Sequence, residues 1–585
     1  MIKTIGYLRP KEWAAVGASL IFIVIQVGLD LRLPEYMAEI TRLVQTEGSA
    51  MSDVLLNGKY MLLCTIGSLV TVIAVGFFAS RIGASFSQRL RSMLFDKVSS
   101  FSMDEINKFS TASLITRSTN DITQVQMFVT IGLTIVRAPI LAVWAVFKIS
   151  GKGFEWTFAT GVAVSIFLLM FGTLLILVTP KFRKMQTLTD NLNRVTRENL
   201  AGLPVVRAYN AEEYQGCRFE KANEELTDTQ LYTSRAMALM WPTISLIMNG
   251  LMLAIYWIGA ILINNAAPGE KLTLFSNMIV FSSYSIQIIM AFMMITMLFV
   301  MLPRAQVSAK RITEVLDTEP SIRDGEQAAH DPLRKGEVEF RNVSFKYPGA
   351  ADYVLRDVSF SVKQGETIAF IGSTGSGKST LINLVARFYD ATEGMVLVDG
   401  VNVKNYRLES LYDKIGYIPQ KAVIFSGTVA SNVAFGESTN GQATENDVKN
   451  AVRIAQGTDF VENMENAYNA VIARDGANVS GGQKQRLAIA RAVHRKPEIF
   501  LFDDSFSALD YKTDRVLRTA LGEEKQGVTS LIVAQRIGTI MNADRIVVLN
   551  EGMVVGIGKH RELLGTCEVY REIAMSQLSE EELAI

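Results

Sequence analysis

Cysteine and histidine are scarce, with three of each in 585 residues. Cys64, Cys217 and Cys567 lie far apart, match no metal-ligand spacing and offer no disulfide framework, which agrees with a reducing compartment for the soluble part. An excess of one charge is also missing: 58 Lys and Arg balance 58 Asp and Glu, so net charge implies no acidic partner such as nucleic acid. No A-x-A-like cleavage site follows the first apolar run. Residues 1–12, with Lys3, Arg9 and Lys11, therefore read as a basic interfacial helix rather than a signal peptide. What the chain has in surplus is apolar character, with a mean hydropathy of +0.22 that is unevenly spread. Long apolar runs fill the first half and a mixed α/β composition the second, and the length predicts two or three domains.

Six apolar stretches reach the roughly 20 residues needed to cross a bilayer. They lie at about 13–33, 58–80, 129–150, 155–178, 241–264 and 275–302, which delimits a membrane domain over 13–305. The segments 81–128 and 179–240 are long and polar but helical in pattern: Ile82, Phe86, Leu90, Leu94 and Val98 recur every four residues. These segments are rich in Lys and Arg, whereas 265–274 holds only Lys271 and 34–57 only Arg42. The positive-inside rule then places both termini and the second half in the cytoplasm. Two short polar stretches, near 104–111 and 208–214, suit either a contact with another domain or a solvated turn. Met290, Met293, Met294, Met297 and Met301 form a stripe that fits a cavity lining or ordinary packing. Asp30 and Arg137 are charges inside spans, costly unless paired or facing water. Residues 306–334, with Asp324-Gly325 and Asp331-Pro332, read as a linker to a domain over 335–585.

The second half carries the chemistry. Gly372-Ser373-Thr374-Gly375-Ser376-Gly377-Lys378-Ser379-Thr380 satisfies G-x-x-x-x-G-K-[ST] between a strand-like run, 367–371, and a helix-like run, 381–386. In that context glycines let backbone N–H groups wrap phosphates, Lys378 reaches the β- and γ-phosphates, and the Ser379 hydroxyl is placed for Mg²⁺. Ile499-Phe500-Leu501-Phe502-Asp503-Asp504 reads as a buried strand that delivers carboxylates to the ligand-binding edge of a parallel sheet. Asp503 suits a Mg²⁺ site, and Asp504 stands where a general base would polarise water. Ser480-Gly481-Gly482-Gln483 opens a further helix whose free N–H groups make a second anion site. Two such helix starts in one domain predict a nucleotide held between two domains. Tyr347, before Pro348, suits adenine stacking or packing.

This set resembles the ATP-binding-cassette superfamily, and six spans fused ahead of the cassette resemble its multidrug-type exporters over essentially the whole chain. The Ser480–Gln483 signature is the most specific element. The resemblance implies a six-helix transmembrane domain joined to an α/β nucleotide-binding domain that uses ATP and Mg²⁺. It implies that Tyr347 stacks on adenine and that Gln420 senses Mg²⁺ and the membrane half. It also implies that Ser507-Ala508-Leu509-Asp510 crosses a dimer interface, and that 104–111 and 208–214 are coupling helices.

Two positions depart from the family pattern. Asp504 stands where Glu is usual, and Gln535-Arg536 follow the strand 530–534 where a switch histidine is usual. The histidines present are His330, His494 and His560, none of which falls there. A carboxylate one methylene shorter is set back by roughly 1.5 Å, and misplacement on that scale costs on the order of a hundredfold in rate. Gln also lacks the proton-relay capacity of imidazole. The expectation is a site that holds ATP but hydrolyses it slowly, beside an intact signature that serves a partner. The predicted protein is thus one subunit of a heterodimeric exporter of drugs or other amphipathic compounds in a bacterial inner membrane, in contact with membrane lipid. Its partner would be a second half-transporter with the usual Glu and His. A lipid or peptide exporter is the alternative, as is an ATP-gated channel or regulatory subunit. The six spans argue against a soluble nucleic-acid-acting cassette.

Overall fold

A computed structural model describes residues 2–578 other than 47, 152, 327–334, 437–443 and 525–526. The chain divides into two units, one of Met1–Lys97 with Ala112–Thr318 and the other of Val98–Thr111 with Glu319–Ile585. Asp331, Pro332 and His330 lie outside the described residues.

The first unit holds six helices long and apolar enough to cross a membrane: Pro10–Gln45, Met51–Ser99, Thr111–Ser150, Phe154–Ala201, Glu212–Asn265 and Lys271–Asp317. Several run to twice the length a bilayer requires; the 49 residues of Met51–Ser99 span roughly 70 Å at 1.5 Å per residue. The buried stripe Ile82, Phe86, Leu90 and Leu94 shows why, because the core-facing period continues past the apolar run. The same reasoning corrects three expectations. The last helix runs to Asp317 instead of giving way to a linker at 306, since Ala305, Ala309, Ile312 and Val315 keep a buried face at helical spacing. Helix also occupies most of 34–57: the first long helix passes through Pro34 to Gln45, and the next begins at Met51. Residues 1–12 are not one helix but a short turn of helix, Ile2–Ile5, followed by a new start at Pro10. Pro suits a first helical position because it has no N–H to leave unpaired. There Glu12 accepts from the Arg9 N–H at 2.7 Å and from the Ser85 hydroxyl at 2.7 Å, pinning the first long helix to the second.

Between Thr111 and Ser150 the helix is interrupted twice, by a π-helical turn at Arg117–Asp121 and by a break between Ile135 and Arg137. Pro139 accounts for the break, because it offers no N–H to the Ile135 carbonyl. Leu31, Phe281, Tyr284 and Trp156 fill the centre of the unit. The Tyr284 hydroxyl donates to the Leu31 carbonyl at 2.6 Å and the Trp156 indole N–H to the Ile255 carbonyl at 3.0 Å, so the large rings bury no unpaired donor. Leu62, Ile73, Phe147, Leu169, Ile176 and Leu246 are exposed, as helix faces that meet hydrocarbon require. Met290, Met294 and Met297 of the methionine stripe are exposed on this chain as well. The two intramembrane charges pair with each other: Arg137 Nη2 lies 2.7 Å from Asp30 Oδ2, and the Ser68 hydroxyl donates to Asp30 Oδ1 at 2.6 Å.

The second unit is built on two sheets. The strands are β1 (Val338–Phe345), β2 (Leu355–Val362), β3 (Thr367–Gly372), β4 (Glu393–Val398), β5 (Val401–Asn402), β6 (Ile415–Ile418), β7 (Gly427–Thr428), β8 (Val471–Ile472), β9 (Ile499–Asp503), β10 (Thr529–Val533), β11 (Arg545–Asn550) and β12 (Met553–Gly558). An antiparallel sheet has the order β2-β1-β4-β5, a six-stranded sheet the order β12-β11-β3-β10-β9-β6, and β7 pairs with β8. In the larger sheet β11, β3, β10, β9 and β6 run parallel, while β12 is antiparallel at its edge. Every residue of β9 and β10 is buried, as strands covered on both faces must be. The seven-residue helix Met103–Phe109 also belongs to this unit.

The Asp30–Arg137 pair yields a direct prediction. Asp30→Ala and Arg137→Ala each lower the melting temperature of the detergent-solubilised protein, because each strands the opposite charge. The double variant recovers part of the loss, with an interaction energy of about 1–3 kcal/mol in a double-mutant cycle.

Candidate functional site

Parallel strand register gathers the site at one edge of the larger sheet. β10 lies between β3 and β9, with Val533 opposite both Phe370 and Asp503, so the loop after β3 and the carboxylates after β9 emerge on the same side. Ligands bind at that carboxyl edge in open α/β sheets.

The loop after β3 turns on two glycines that tolerate no Cβ. At Gly372 a Cβ would stand 2.0 Å from the Leu549 carbonyl oxygen, and Gly377 has φ of +96° with the Leu355 side chain 2.6 Å from its absent Cβ. Gly377 is the N-cap of the helix Lys378–Val385, so the first N–H groups of that helix point into the loop. The Lys378 ammonium curls back over it, donating to the Gly372 carbonyl at 2.9 Å and the Ser373 carbonyl at 2.7 Å. Burial pushes the Lys378 pKa down, against the pull of Asp504 and Asp503. Its charge is held over a ring of backbone dipoles, which suits a phosphate anion entering the same loop.

Ser379 donates its hydroxyl to Asp503 Oδ1 at 2.6 Å. A hydroxyl and a carboxylate in contact at the mouth of a phosphate loop are the hard oxygen donors that Mg²⁺ prefers alongside phosphate oxygens. The donor set therefore fits the ion. Tyr347 is half-buried, with its hydroxyl 3.0 Å from that of Thr380 and its ring edge-on to Phe345 and Tyr389.

Asp504 is the centre of a small polar network. Its Oδ2 accepts from Gln420 Nε2 at 3.2 Å and from Gln535 Nε2 at 2.8 Å, and its own N–H donates to the Val533 carbonyl at 3.0 Å. The residue sits at φ of +48°, the left-handed region, so its backbone is held by this network against its own preference. Burial and then the neighbouring Asp503 push the Asp504 pKa up; Asp503 is itself raised by burial, partly offset by Ser379 and Lys378. The amides of Gln420 and Gln535 donate to the Asp504 carboxyl, and the Lys378 ammonium is near enough to pull its pKa partly back down. His560 is buried against the Tyr570 hydroxyl at 2.6 Å, and His494 ends the helix Gly481–His494.

Ser480 is the N-cap of that 14-residue helix. Its hydroxyl accepts from the Gln483 N–H at 3.3 Å while the Gln483 side chain accepts from the Ser480 N–H at 2.8 Å, a reciprocal capping box. Two of the four N–H groups expected to be free are thus already satisfied, and those of Gly481 and Gly482 remain. Ser480 and Gly481 are exposed. Asp510 accepts from the Thr513 N–H at 2.9 Å and starts the helix Tyr511–Glu524. Of the two stretches near 104–111 and 208–214, the first is the helix Met103–Phe109. The second is a turn between Leu203–Ala208 and Glu212–Ala238 with Tyr209 and Tyr214 strongly exposed. Sequence reasoning missed Tyr389, which meets Asn107 of the stretch 104–111 across 282 positions of the chain; an aromatic pair, Phe388-Tyr389, just past the phosphate-loop helix was the available signal.

A six-helix membrane unit and an α/β unit with a phosphate loop, a strand-borne carboxylate and a serine-capped glycine helix together define a half-transporter driven by ATP. The chain belongs to the ABC transporter family: the transmembrane region of ABC transporters matches residues 16–311 and the ABC transporter domain matches 355–507. It is 39% identical, over 98% of its length and 97% of the relative's, to an uncharacterized ABC transporter ATP-binding protein of Mycobacterium tuberculosis. To YfiB, an uncharacterized ABC transporter ATP-binding protein of Bacillus subtilis, it is 35% identical over 99% of both chains. An ATP-dependent lipid A-core flippase of Saccharophagus degradans is 29% identical over 86% of this chain and 84% of that one. In fold it is similar to a bacterial Atm1-family ABC exporter solved with ATP bound, with a TM-score of 0.76, 24% identity and coverage of 97% of this chain and all of that one. The protein is a half-transporter of the ABC type, a multi-pass membrane protein in which ATP hydrolysis is coupled to transport.

The buried carboxyl pair has a measurable cost. For a carboxyl whose folded pKa is raised, stability is fully present below the ordinary value of about 3.9 and is lost as pH rises through the raised one. Asp504→Asn keeps an oxygen for Gln420 and Gln535 and removes the charge. In thermal melts of the nucleotide-free protein it is expected to raise the melting temperature at neutral pH, with the advantage shrinking as pH falls through the carboxyl range.

Proposed function

We propose that this chain binds MgATP at a site that hydrolyses it slowly and that it serves, through Ser480–Gln483, the faster site of a partner half-transporter. The observation that carries this reading is the surroundings of Asp504: a short carboxylate gripped by the amides of Gln420 and Gln535, where a longer carboxylate and an imidazole would be expected for rapid turnover.

Each residue has a role that follows from its position. Gly372–Thr380 wrap the phosphates, and Lys378 exchanges its bonds to the loop carbonyls for the charge of the β- and γ-phosphates. Ser379, Asp503 and Gln420 would hold Mg²⁺, which would supply positive charge against the phosphate oxygens. Tyr347 stacks on the adenine. Asp504 orients the attacking water, but the Gln535 amide that donates to it cannot take up or return a proton near neutral pH as imidazole does. Binding is therefore preserved while the proton-transfer contribution, typically 10²–10⁴-fold, is weakened. Gly481 and Gly482 offer backbone N–H groups at an exposed helix start, which suits the γ-phosphate of a nucleotide held by a second cassette. Met103–Phe109 and the turn near 208–214 act as coupling helices, and 507–510 faces the partner.

Small amphipathic compounds are the cargo that the exposed Met290, Met294 and Met297 face favours, since unbranched thioethers adapt to varied apolar shapes. A lipid is the second reading, favoured by the likeness to a chain described as a lipid A-core flippase. A bacterial inner membrane is the setting that suits both.

Asp504→Glu with Gln535→His is expected to raise ATP turnover of the purified complex on the order of tenfold or more with little change in ATP affinity. Unchanged turnover would show that these side chains do not limit hydrolysis. In a complex with a consensus partner, Asp504→Asn leaves most turnover in place whereas Gln in place of the partner's catalytic Glu abolishes it. The opposite ranking would reverse the assignment of the slow site.

A further inference from the structure

Tyr389 follows the phosphate-loop helix and is almost completely buried. Its ring meets that of Tyr347 edge-on, with centroids 5.1 Å apart and planes at 89°. Phe345 closes the cluster, 4.9 Å from Tyr347 and 5.6 Å from Tyr389. On the far side of the ring the Tyr389 hydroxyl accepts from Asn107 Nδ2 at 3.2 Å. Asn107 lies in the helix Met103–Phe109, whose first turn is fixed to the segment that enters the cassette. There Glu105 Oε1 accepts from the Ser321 N–H at 3.0 Å, and the Ser102 and Ser321 hydroxyls lie 2.8 Å apart. Glu105 is buried, and although burial pushes its pKa up, the Ser102 and Ser321 donors outweigh this and hold it low, so it stays charged and the anchor is firm. The helix is thus anchored firmly at its first turn, while the Asn107 hydrogen bond is long and ends on a ring that touches Tyr347.

We propose that Tyr389 is a positioning residue that passes the state of the Tyr347 ring, through its hydroxyl and Asn107, to the helix Met103–Phe109. This rests on the reading of Tyr347 as the adenine-stacking residue. Rings packed edge-to-face at interior density cannot turn singly, so a base settling on Tyr347 shifts Tyr389 with it. A hydrogen bond already at the long end of its range strengthens or breaks with a displacement of a few tenths of an ångström. The Asn107 bond is therefore the element of this assembly most sensitive to whether the base is present. Phosphates at the loop 372–380 reach the same ring through Thr380, whose hydroxyl lies 3.0 Å from that of Tyr347, whereas the base meets the ring face itself.

The test uses the full-length transporter, with its partner, in nanodiscs. Cys217, the exposed one of the three cysteines, carries a spin label that reports the ATP-driven change of the membrane unit. ATP affinity is read separately by displacement of a fluorescent ATP analogue. Asn107→Ala and Tyr389→Phe are each expected to raise the ATP concentration for the half-maximal label response about fivefold, with affinity changed less than roughly twofold, and the double variant to match either single one. Tyr389→Phe keeps all three rings, so its melting temperature should stay at the wild-type value and separates relay from folding. Single variants with a wild-type response, or a double variant whose effect is the product of the two, would overturn the relay. A Tyr347→Ala protein with unchanged ATP affinity would overturn the stacking reading and with it the source of the signal. A weakened Tyr347→Ala site beside multiplicative effects at 107 and 389 would overturn the relay alone.

Discussion

A carboxylate pair that the fold cannot solvate is the constraint around which the cassette is arranged. β9 is buried along its whole length and ends in Asp503 followed by Asp504, so two like charges arrive together where water is scarce. The nearby groups are arranged to relieve that arrival. Ser379 donates to the first carboxylate, Gln420 and Gln535 donate to the second, and the Lys378 ammonium supplies positive charge. These partners come from three separate places in the chain, after β3, β6 and β10, and parallel pairing of β3, β10, β9 and β6 in this order brings those strand ends and the end of β9 to one edge. The relief is partial, since both carboxyls stay raised. A divalent cation and a phosphate chain would complete it, which is a physical reason for nucleotide to tighten this unit.

The membrane unit solves a related problem with fewer parts. The carboxylate–guanidinium contact between Asp30 and Arg137 lies at the break that Pro139 imposes on the third long helix, and Ser68 donates to the other carboxylate oxygen. A helix break normally exposes backbone groups that hydrocarbon cannot satisfy. Here charge and break occur together, so the cost is concentrated in one place and is met by one set of contacts.

Much of this was legible in the chain itself. Six spans, their long helical extensions, the phosphate loop, the buried acidic strand and the serine–glycine helix start all announce themselves through local period or fixed spacing, and each stands where it was expected. Helix ends were less legible. The last helix outruns its hydrophobic stretch because Ile312 and Val315 keep a buried stripe among polar residues, a pattern that hydropathy averages away. Pairings across the chain were illegible. That Asp30 and Arg137 are each costly could be read from composition; that they meet depends on how helices 107 positions apart lean together. Tyr389 and Asn107 carry no motif, and neither residue type signals the other. The Gln535 substitution was visible as an absence, but its grip on Asp504 needed coordinates.

The capping box at Ser480 has one more consequence. The serine oxygen receives the Gln483 N–H through a lone pair, and among the described residues no acceptor is seen for its own hydroxyl hydrogen. A cap that worked by donating would have to be undone before the serine could greet an incoming anion. This one does not. The hydroxyl hydrogen can turn toward an acceptor, and the Gly481 and Gly482 N–H groups lie at a helix start that the capping box already fixes, so little ordering entropy is left to be lost on contact. On the reading proposed above, the helix start at Ser480 is a socket finished before its anion arrives.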